Sequence, residues 1–205
     1  VFIYGLSNKD ILKNRIVSAG SCSTNALSLI LHSIEKSFKI ESGSVTSVHS
    51  YMADQNLLDS RSNRCLRSSR AAALNIIPVS TGVSRNLLHS LPHLADKFIG
   101  FSVRVPVADV AMLDITISLQ KSATISQINE IFIKKSKTTL NGVLDVDFDS
   151  RVSSDFISNK SSVVVALDLT QKISENQFKI IAWFDNEVGY ASRLYDLISL
   201  IKGEL

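Results

Sequence analysis

Ser21-Cys22-Ser23-Thr24-Asn25 stands directly before a periodic apolar segment that ends at Phe38. Apolar residues recur at positions 27, 30, 31, 34 and 38. This i, i+3, i+4, i+7, i+11 spacing predicts a helix over 24–38 with one buried face. Cys22 therefore lies at a helix start, where free backbone N–H groups and the positive end of the macrodipole favour a thiolate. The alternative for this segment alone is a buried, inert cysteine.

The segment after this helix predicts a return of the chain towards Cys22. Residues 41–43 predict a turn, and residues 44–50 predict a strand because they are rich in β-branched side chains. The helix leads about 22 Å away from Cys22, and a strand ending at His49 leads about 20 Å back. A Cys–His pair within reach is the pattern of an activated nucleophile. The alternative is a strand-end histidine bonded only to backbone.

The composition limits the classes of function. The chain has 205 residues, which is long enough for a hydrophobic core in one or two domains. Its net charge is +3. Cys22 and Cys65 are the only cysteines, which excludes a disulfide framework and fits a reduced, cytoplasmic compartment. No apolar run is long enough to cross a membrane, and no His/Cys cluster has zinc spacing, so neither a membrane nor a metal is expected. The mild charge does not call for nucleic acid.

The remaining pattern predicts an α+β fold with a sheet covered by helices on one face. Predicted strands are 1–4, 16–17, 98–105, 109–119, 162–167 and 178–184, and predicted helices are 83–91, 126–135 and 187–201. Thr124 or Ser126 is expected to cap the helix at 126, and Asp185 or Asn186 the closing helix. Residues 51–73 have no clear period and predict a long ordered loop, a kind of segment that is usually functional.

Two features predict anion binding. Ser80-Thr81-Gly82 precedes the helix at 83, and hydroxyl groups with a glycine at a helix start suit an anion; plain N-capping is the alternative. Arg104 lies among apolar strand residues, so it faces either water or an anion. The long loop adds four arginines, which fit a phosphate site, a nucleic-acid patch or a solvated surface: Arg61, Arg64, Arg67 and Arg70. No Gly-rich dinucleotide turn or P-loop pattern occurs in these 205 residues.

Seven short patterns follow one another in a fixed order along nearly the whole chain. They are Ser21–Asn25, Val48-His49-Ser50, Arg70–Pro78, Ser80-Thr81-Gly82, Val103–Pro106, Ser153–Phe156 and Trp183–Tyr190. Each pattern alone is weak, but the ordered series is specific. Together they resemble the catalytic domain of the phosphorylating glyceraldehyde-3-phosphate dehydrogenases.

The resemblance implies a mixed, largely antiparallel sheet and a set of site residues. Cys22 would attack an aldehyde carbon, and His49 would act as the general base that keeps Cys22 ionised. Asn186 would contact the nicotinamide of NAD or NADP. The residues that would hold two phosphate groups are Ser21, Ser23, Thr81, Gly82 and Arg104. The implied partners are a sugar-phosphate aldehyde, inorganic phosphate and further copies of the chain in a homotetramer, with the long loop between subunits.

The resemblance also implies a division of the chain. Residues 1–20 would be the last strand and linker of an NAD-binding domain that otherwise lies outside this sequence. Residues 21–185 would be the catalytic domain, and residues 186–205 a C-terminal helix that packs on the NAD-binding domain. The chain by itself is accordingly expected to be inactive.

The sequence contains residues typical of two different branches of the family, so the substrate branch is not decided. Met52 stands where a phosphate-contacting Thr is usual, which favours erythrose-4-phosphate dehydrogenases. The run Ala71–Pro78 favours ordinary glyceraldehyde-3-phosphate dehydrogenases, and Ser68 fills a place where many members carry a second Arg. Two hypotheses of another class are a non-catalytic interaction protein that keeps the fold and an RNA-binding loop built on the arginines.

Overall fold

The computed structural model describes residues 1–6, 11–61 and 66–203, with residues 84 and 85 described as backbone only. The strands are β1 (Ile40–Ser50), β2 (Ile77–Val79), β3 (Phe98–Val105), β4 (Ala111–Leu119), β5 (Leu144–Asp147), β6 (Val163–Lys172) and β7 (Gln177–Phe184). The helices are α1 (Cys22–Phe38), α2 (Val83–Ser90), α3 (Ile125–Ser136) and α4 (Val188–Lys202).

The seven strands form one mixed sheet in the order β2-β3-β1-β4-β7-β6-β5. The pairs β1–β3 and β5–β6 are parallel, and the other pairs are antiparallel. In β4, buried side chains alternate with partly exposed ones, and the buried ones join the core formed with α1. The predicted α+β fold, with a largely antiparallel sheet and helices on one face, is therefore confirmed.

Several local predictions are wrong. Residues 1–4 and 16–17 form no strand, although the Phe2 N–H donates to the Ser18 carbonyl at 2.8 Å and Ile3 is fully buried in the core. The chain does not turn at 41–43: it reverses at Lys39, which ends α1 with φ 56°, and β1 begins directly after it. The strands β2 and β5 were not predicted because three or four residues are too short to show a period.

The start of α3 follows the predicted capping chemistry, and the start of α4 follows it only in part. The Thr124 hydroxyl accepts from the Gln127 N–H, and the Gln127 side chain accepts from the Thr124 N–H, so Thr124 is the cap of α3. At α4 the N-cap residue is Glu187 and not the predicted Asp185 or Asn186, although the Asp185 carboxylate accepts from the backbone N–H groups of Glu187 and Val188. The apolar stripe of α4 is only partly covered: Leu197 is buried, whereas Ile198 is half-exposed.

The sheet face opposite the helices carries apolar side chains as well. On β3, Ile99 and Phe101 are 76% and 48% exposed. On β7, Trp183 stacks on the ring of Phe156 with the ring centroids 5.7 Å apart. The Arg151 guanidinium lies 5.1 Å from the centroid of the same Phe156 ring. This surface is called the open face below.

Gly43 permits the close packing of β1 between its two neighbours. It pairs with Phe98 of β3 and with Ile117 of β4. A Cβ at this position would lie 2.5 Å from the Phe98 ring and 2.6 Å from the Thr116 carbonyl oxygen. A larger residue here would require the Phe98 ring to shift and β1 to move from the Thr116 carbonyl of β4, and β1 carries His49.

We expect Gly43→Ala to lower the free energy of unfolding by about 2–3 kcal/mol, as overpacking of a core does. Gly142→Ala is the matched control, because a Cβ there meets nothing within 4 Å although φ is 73°. Its cost should stay near 1 kcal/mol, that of a left-handed backbone at a residue with a Cβ. Urea denaturation of both variants measures the difference. Equal costs would show that the contact of Gly43 with Phe98 does not limit the sheet.

Candidate active site

The parallel pairing of β1 and β3 sets two side chains next to each other at one edge of the sheet. His49 and Arg104 are register partners, and neighbouring partners in a parallel pair point to the same face. This edge faces the start of α1, where Cys22 is the first helical residue. The Cys22 Sγ lies 3.7 Å from the His49 Nε2. The structure thus brings the predicted nucleophile and the predicted base together.

Short hydrogen bonds hold the backbone around Cys22. The Ser21 hydroxyl oxygen accepts from the Thr24 N–H at 3.2 Å, so Ser21 is the N-cap of α1. The buried Asn25 donates from Nδ2 to the Ala19 carbonyl at 2.7 Å and to the Ser21 carbonyl at 2.9 Å. Cys22 is therefore fixed from both sides of the turn that enters the helix.

The orientation of the His49 ring is set by its other nitrogen. Nδ1 lies 2.8 Å from the Ser50 carbonyl oxygen, to which it donates its hydrogen. Nε2 then carries the lone pair, and it faces the Cys22 thiol. The Phe184 ring packs edge-on against the imidazole at 6.0 Å between centroids. This tautomer can accept a proton from Cys22.

Burial decides the charge state of the pair. It raises the pKa of the Cys22 thiol, and the lowering effects of the Ser23 backbone N–H and of Arg104 do not outweigh it. Burial, followed by the Arg104 guanidinium, lowers the pKa of His49 to about 4. The direction of these pKa shifts runs against the expectation that the helix start and His49 keep Cys22 ionised. At neutral pH the site holds a thiol beside a neutral imidazole.

A cleft of about 630 Å³ has Arg104, the register partner of His49, in its lining. Arg67, Ser80 and Thr81 line it as well, whereas Cys22 and His49 do not belong to the lining. The Thr81 hydroxyl oxygen also accepts from the Val83 N–H, the first backbone N–H of α2, at 3.2 Å. Burial lowers the pKa of Arg104, which remains a cation at neutral pH.

The other predicted anion-binding residues lie at two helix starts. Gly82 is the N-cap residue of α2, while Ser21 and Ser23 flank Cys22 with their hydroxyl oxygens 3.3 Å apart. Of the loop arginines, Arg70 pairs with Asp59 at 3.1 Å. Arg64 and Cys65 lie outside the described residues.

Asn186 reaches the site through Ser50. The Ser50 hydroxyl donates to the Asn186 Oδ1 at 2.8 Å, and Ser50 is fully buried. The Asp185 carboxylate holds this turn by accepting from the backbone N–H of Ser158 at 2.7 Å and of Val188 at 2.7 Å. Asn186 is thereby joined to the strand end that carries His49.

Residues 21–186 match the family model described as the C-terminal domain of glyceraldehyde 3-phosphate dehydrogenase. The chain belongs to the glyceraldehyde-3-phosphate dehydrogenase family. A glyceraldehyde-3-phosphate dehydrogenase of Helicobacter pylori is 47% identical over 95% of this chain and 58% of its own length. Glyceraldehyde-3-phosphate dehydrogenase 2 of Bacillus subtilis is 38% identical over 96% of this chain and 57% of its own length.

A chloroplastic glyceraldehyde-3-phosphate dehydrogenase of Arabidopsis thaliana is also 38% identical, over 91% of this chain and 47% of its own length. The chain therefore spans about half to three fifths of the relatives it matches. Membership of this family confirms the resemblance that the seven ordered patterns predicted.

Two contributors to this candidate site were not expected from the sequence. Ser50 follows His49 in a strand, and strict alternation would direct it to the opposite face, away from the site. Arg67 was one of four similar arginines, and only the path of the loop shows that it lines the cleft.

Within residues 1–6, 11–61 and 66–203, no group of three or more His, Cys, Asp or Glu side chains is placed to hold a metal ion. Among the helices of this described part, none is long and apolar enough to span a membrane.

We expect iodoacetamide to alkylate Cys22 slowly at pH 7 and faster as the pH rises through 9 and above, because burial raises the pKa of this thiol. His49→Gln should slow the reaction at pH 7 further, since the neutral imidazole no longer takes the proton. Peptide mapping by mass spectrometry in a Cys65→Ser background measures the rate. An unchanged rate in His49→Gln would remove His49 as the partner of Cys22.

Proposed function

We propose that this chain is the catalytic domain of a phosphorylating glyceraldehyde-3-phosphate dehydrogenase. The observation that carries this proposal is the pair of Cys22 and His49 at 3.7 Å beside an Arg104-lined cleft. A nucleophile with its base next to a cationic cleft suits an aldehyde that carries a phosphate group. The names of the relatives support the same substrate class.

The first role of the chain is to hold the substrate. The phosphate group of the aldehyde lies in the cleft, where Arg104 and the Thr81 hydroxyl donate to its oxygens. Ser21, Ser23 and the start of α2 at Gly82 offer further donors for the second, inorganic phosphate. Arg67, which also lines the cleft, supplies a second cation in the neighbourhood of Ser68. The aldehyde carbon is thereby placed over Cys22.

The second role is nucleophilic attack. The Cys22 Sγ forms a bond to the aldehyde carbon while His49 Nε2 accepts the thiol proton, so that the carbonyl electron pair moves onto oxygen. Because the pKa of His49 is lowered to about 4, the imidazole is neutral at all pH values well above 4, and its Nε2 carries no proton. Inorganic phosphate later opens the Cys22 thioester, and the sulfur leaves with the bonding electrons.

Asn186 fits the end of a nicotinamide cofactor. Its Oδ1 is occupied by the Ser50 hydroxyl, which leaves the Nδ2 hydrogens to donate to a carboxamide oxygen. NAD or NADP, when bound, supplies the hydride acceptor that converts the Cys22 adduct into a thioester. The residues that carry the Gly-rich turn of a dinucleotide site are expected outside these 205 residues, and the division at 20 and 185 remains a proposal.

The exposed apolar surfaces support assembly of the full-length protein. We propose that the open face with Ile99 and Phe101 is covered by another copy of the chain in a homotetramer, and that α4 packs on the NAD-binding domain. Half-exposed side chains such as Ile198 on α4 are consistent with such a contact.

We expect phosphate or sulfate to raise the melting temperature of this chain, since a ligand of the folded state stabilises it by about 2.7 kcal/mol at a hundredfold excess over Kd. Arg104→Leu should abolish the shift. Differential scanning calorimetry against matched chloride measures it. Wild-type protein that shows no shift beyond the chloride control would contradict the anion site.

We expect residues 1–205 alone to produce no NADH from glyceraldehyde 3-phosphate, and the same chain joined to the N-terminal portion of the Helicobacter pylori relative to produce it. Holding the hydride acceptor next to the Cys22 adduct lowers the activation barrier by several kcal/mol, so the loss of this positioning should remove turnover. Cys22→Ser in the joined protein is the matched control and should be inactive.

Turnover by the chain alone, at a rate near that of the joined protein, would contradict the need for the second part. A joined protein that folds and binds NAD but does not turn over would contradict the proposed function.

A further inference from the structure

The helices α1 and α2 are linked by two polar contacts one helical turn apart. Asn86 of α2 donates from Nδ2 to the Thr24 hydroxyl of α1 at 3.1 Å. Further along, the hydroxyl oxygens of Ser90 and Ser28 lie 2.7 Å apart. Because both steps go forward by four residues, the two helices run in the same direction and their N-terminal ends lie side by side.

The contact nearer the site has a defined donor. An amide nitrogen can only donate, so the Thr24 hydroxyl oxygen accepts from Asn86 and is left with its own hydrogen to give. The Ser21 hydroxyl oxygen lies 2.7 Å from it and also accepts from the Thr24 N–H. Either hydroxyl can be the donor in this contact. When Thr24 gives its hydrogen to Ser21, the Ser21 oxygen receives two donors, and its own hydrogen is free to point towards Ser23 or a bound ligand.

Thr24 connects Asn86 to Ser21, and its burial restricts the partners of its hydroxyl group. It is fully buried, so water is not available to replace Asn86 as the partner of its hydroxyl. Asn86 itself also lies against the start of α2: a Cβ at Gly82 would be 3.8 Å from its Nδ2. The Asn86 amide therefore contacts Thr24 of α1 and lies near Gly82 at the start of α2.

We propose that Asn86 is a positioning residue of the anion site, which, through Thr24, directs the hydroxyl hydrogen of Ser21 towards a bound phosphate group. This inference rests on the proposed function, in which Ser21 is a phosphate ligand. Asn86 itself does not touch the phosphate. It acts by setting the direction of the hydrogen-bond chain, so that Ser21 meets the anion as a donor.

The test compares Asn86→Ala with Ser90→Ala in residues 1–205. Each variant removes one polar contact between α1 and α2, but only Asn86 belongs to the chain that ends at Ser21. The Kd for inorganic phosphate, from calorimetry against matched chloride, should weaken about tenfold in Asn86→Ala, as expected for a hydrogen bond to a charged group. Ser90→Ala should lower the melting temperature and keep the wild-type Kd.

A double-mutant cycle with Thr24→Val separates positioning from general loosening. Thr24→Val removes the intermediate hydroxyl, so it should weaken phosphate binding as Asn86→Ala does, and the double variant should be no weaker than either single one. Asn86→Ser, which is too short to reach Thr24, serves as a second variant if Asn86→Ala does not fold.

Wild-type affinity in Asn86→Ala, an equal loss in Ser90→Ala, or additive losses in the double variant would each overturn the positioning role. Folded wild-type protein that does not bind phosphate would overturn the anion site of the proposed function and this role with it.

Discussion

The parallel pairing of β1 with β3 is the constraint on which the site depends. Parallel strands end at the same edge of a sheet, and their register partners share a face, so His49 and Arg104 stand side by side. The starts of α1 and α2 lie at this same edge. An imidazole, a guanidinium and two sets of free backbone N–H groups therefore converge on one small region.

Burial gives this region its resting state. A carboxylate partner would have made His49 a cation, but the ring is buried beside Arg104 and donates to a backbone carbonyl. The thiol of Cys22 keeps its proton for the same reason, since desolvation penalises the thiolate. Both groups of the pair are therefore uncharged at neutral pH. The permanent positive charge of Arg104 remains available for a ligand.

Much of this arrangement could be predicted because it rests on long periodic elements. The helix after Cys22 and the strand before His49 have lengths that match, so their meeting point could be estimated from rise per residue. The residues that could not be predicted act through tertiary contacts. Ser50 lies at a strand end, where strict alternation predicts the wrong face for its side chain. The direction of the pKa shift of Cys22 depends on how deeply the start of α1 is buried. The prediction of a turn at 41–43 was wrong because Gly43 allows close packing of β1 and does not reverse the chain.

The stacked pair of Trp183 and Phe156 gives the chain a built-in optical probe. Trp183 is the single tryptophan among the 205 residues, so all indole emission comes from the open face. It also pairs with Met112 across β4 and immediately precedes Phe184, the ring that packs edge-on against His49. A change in its emission would therefore report, without any label, when the open face loses contact with water or when the end of β7 shifts.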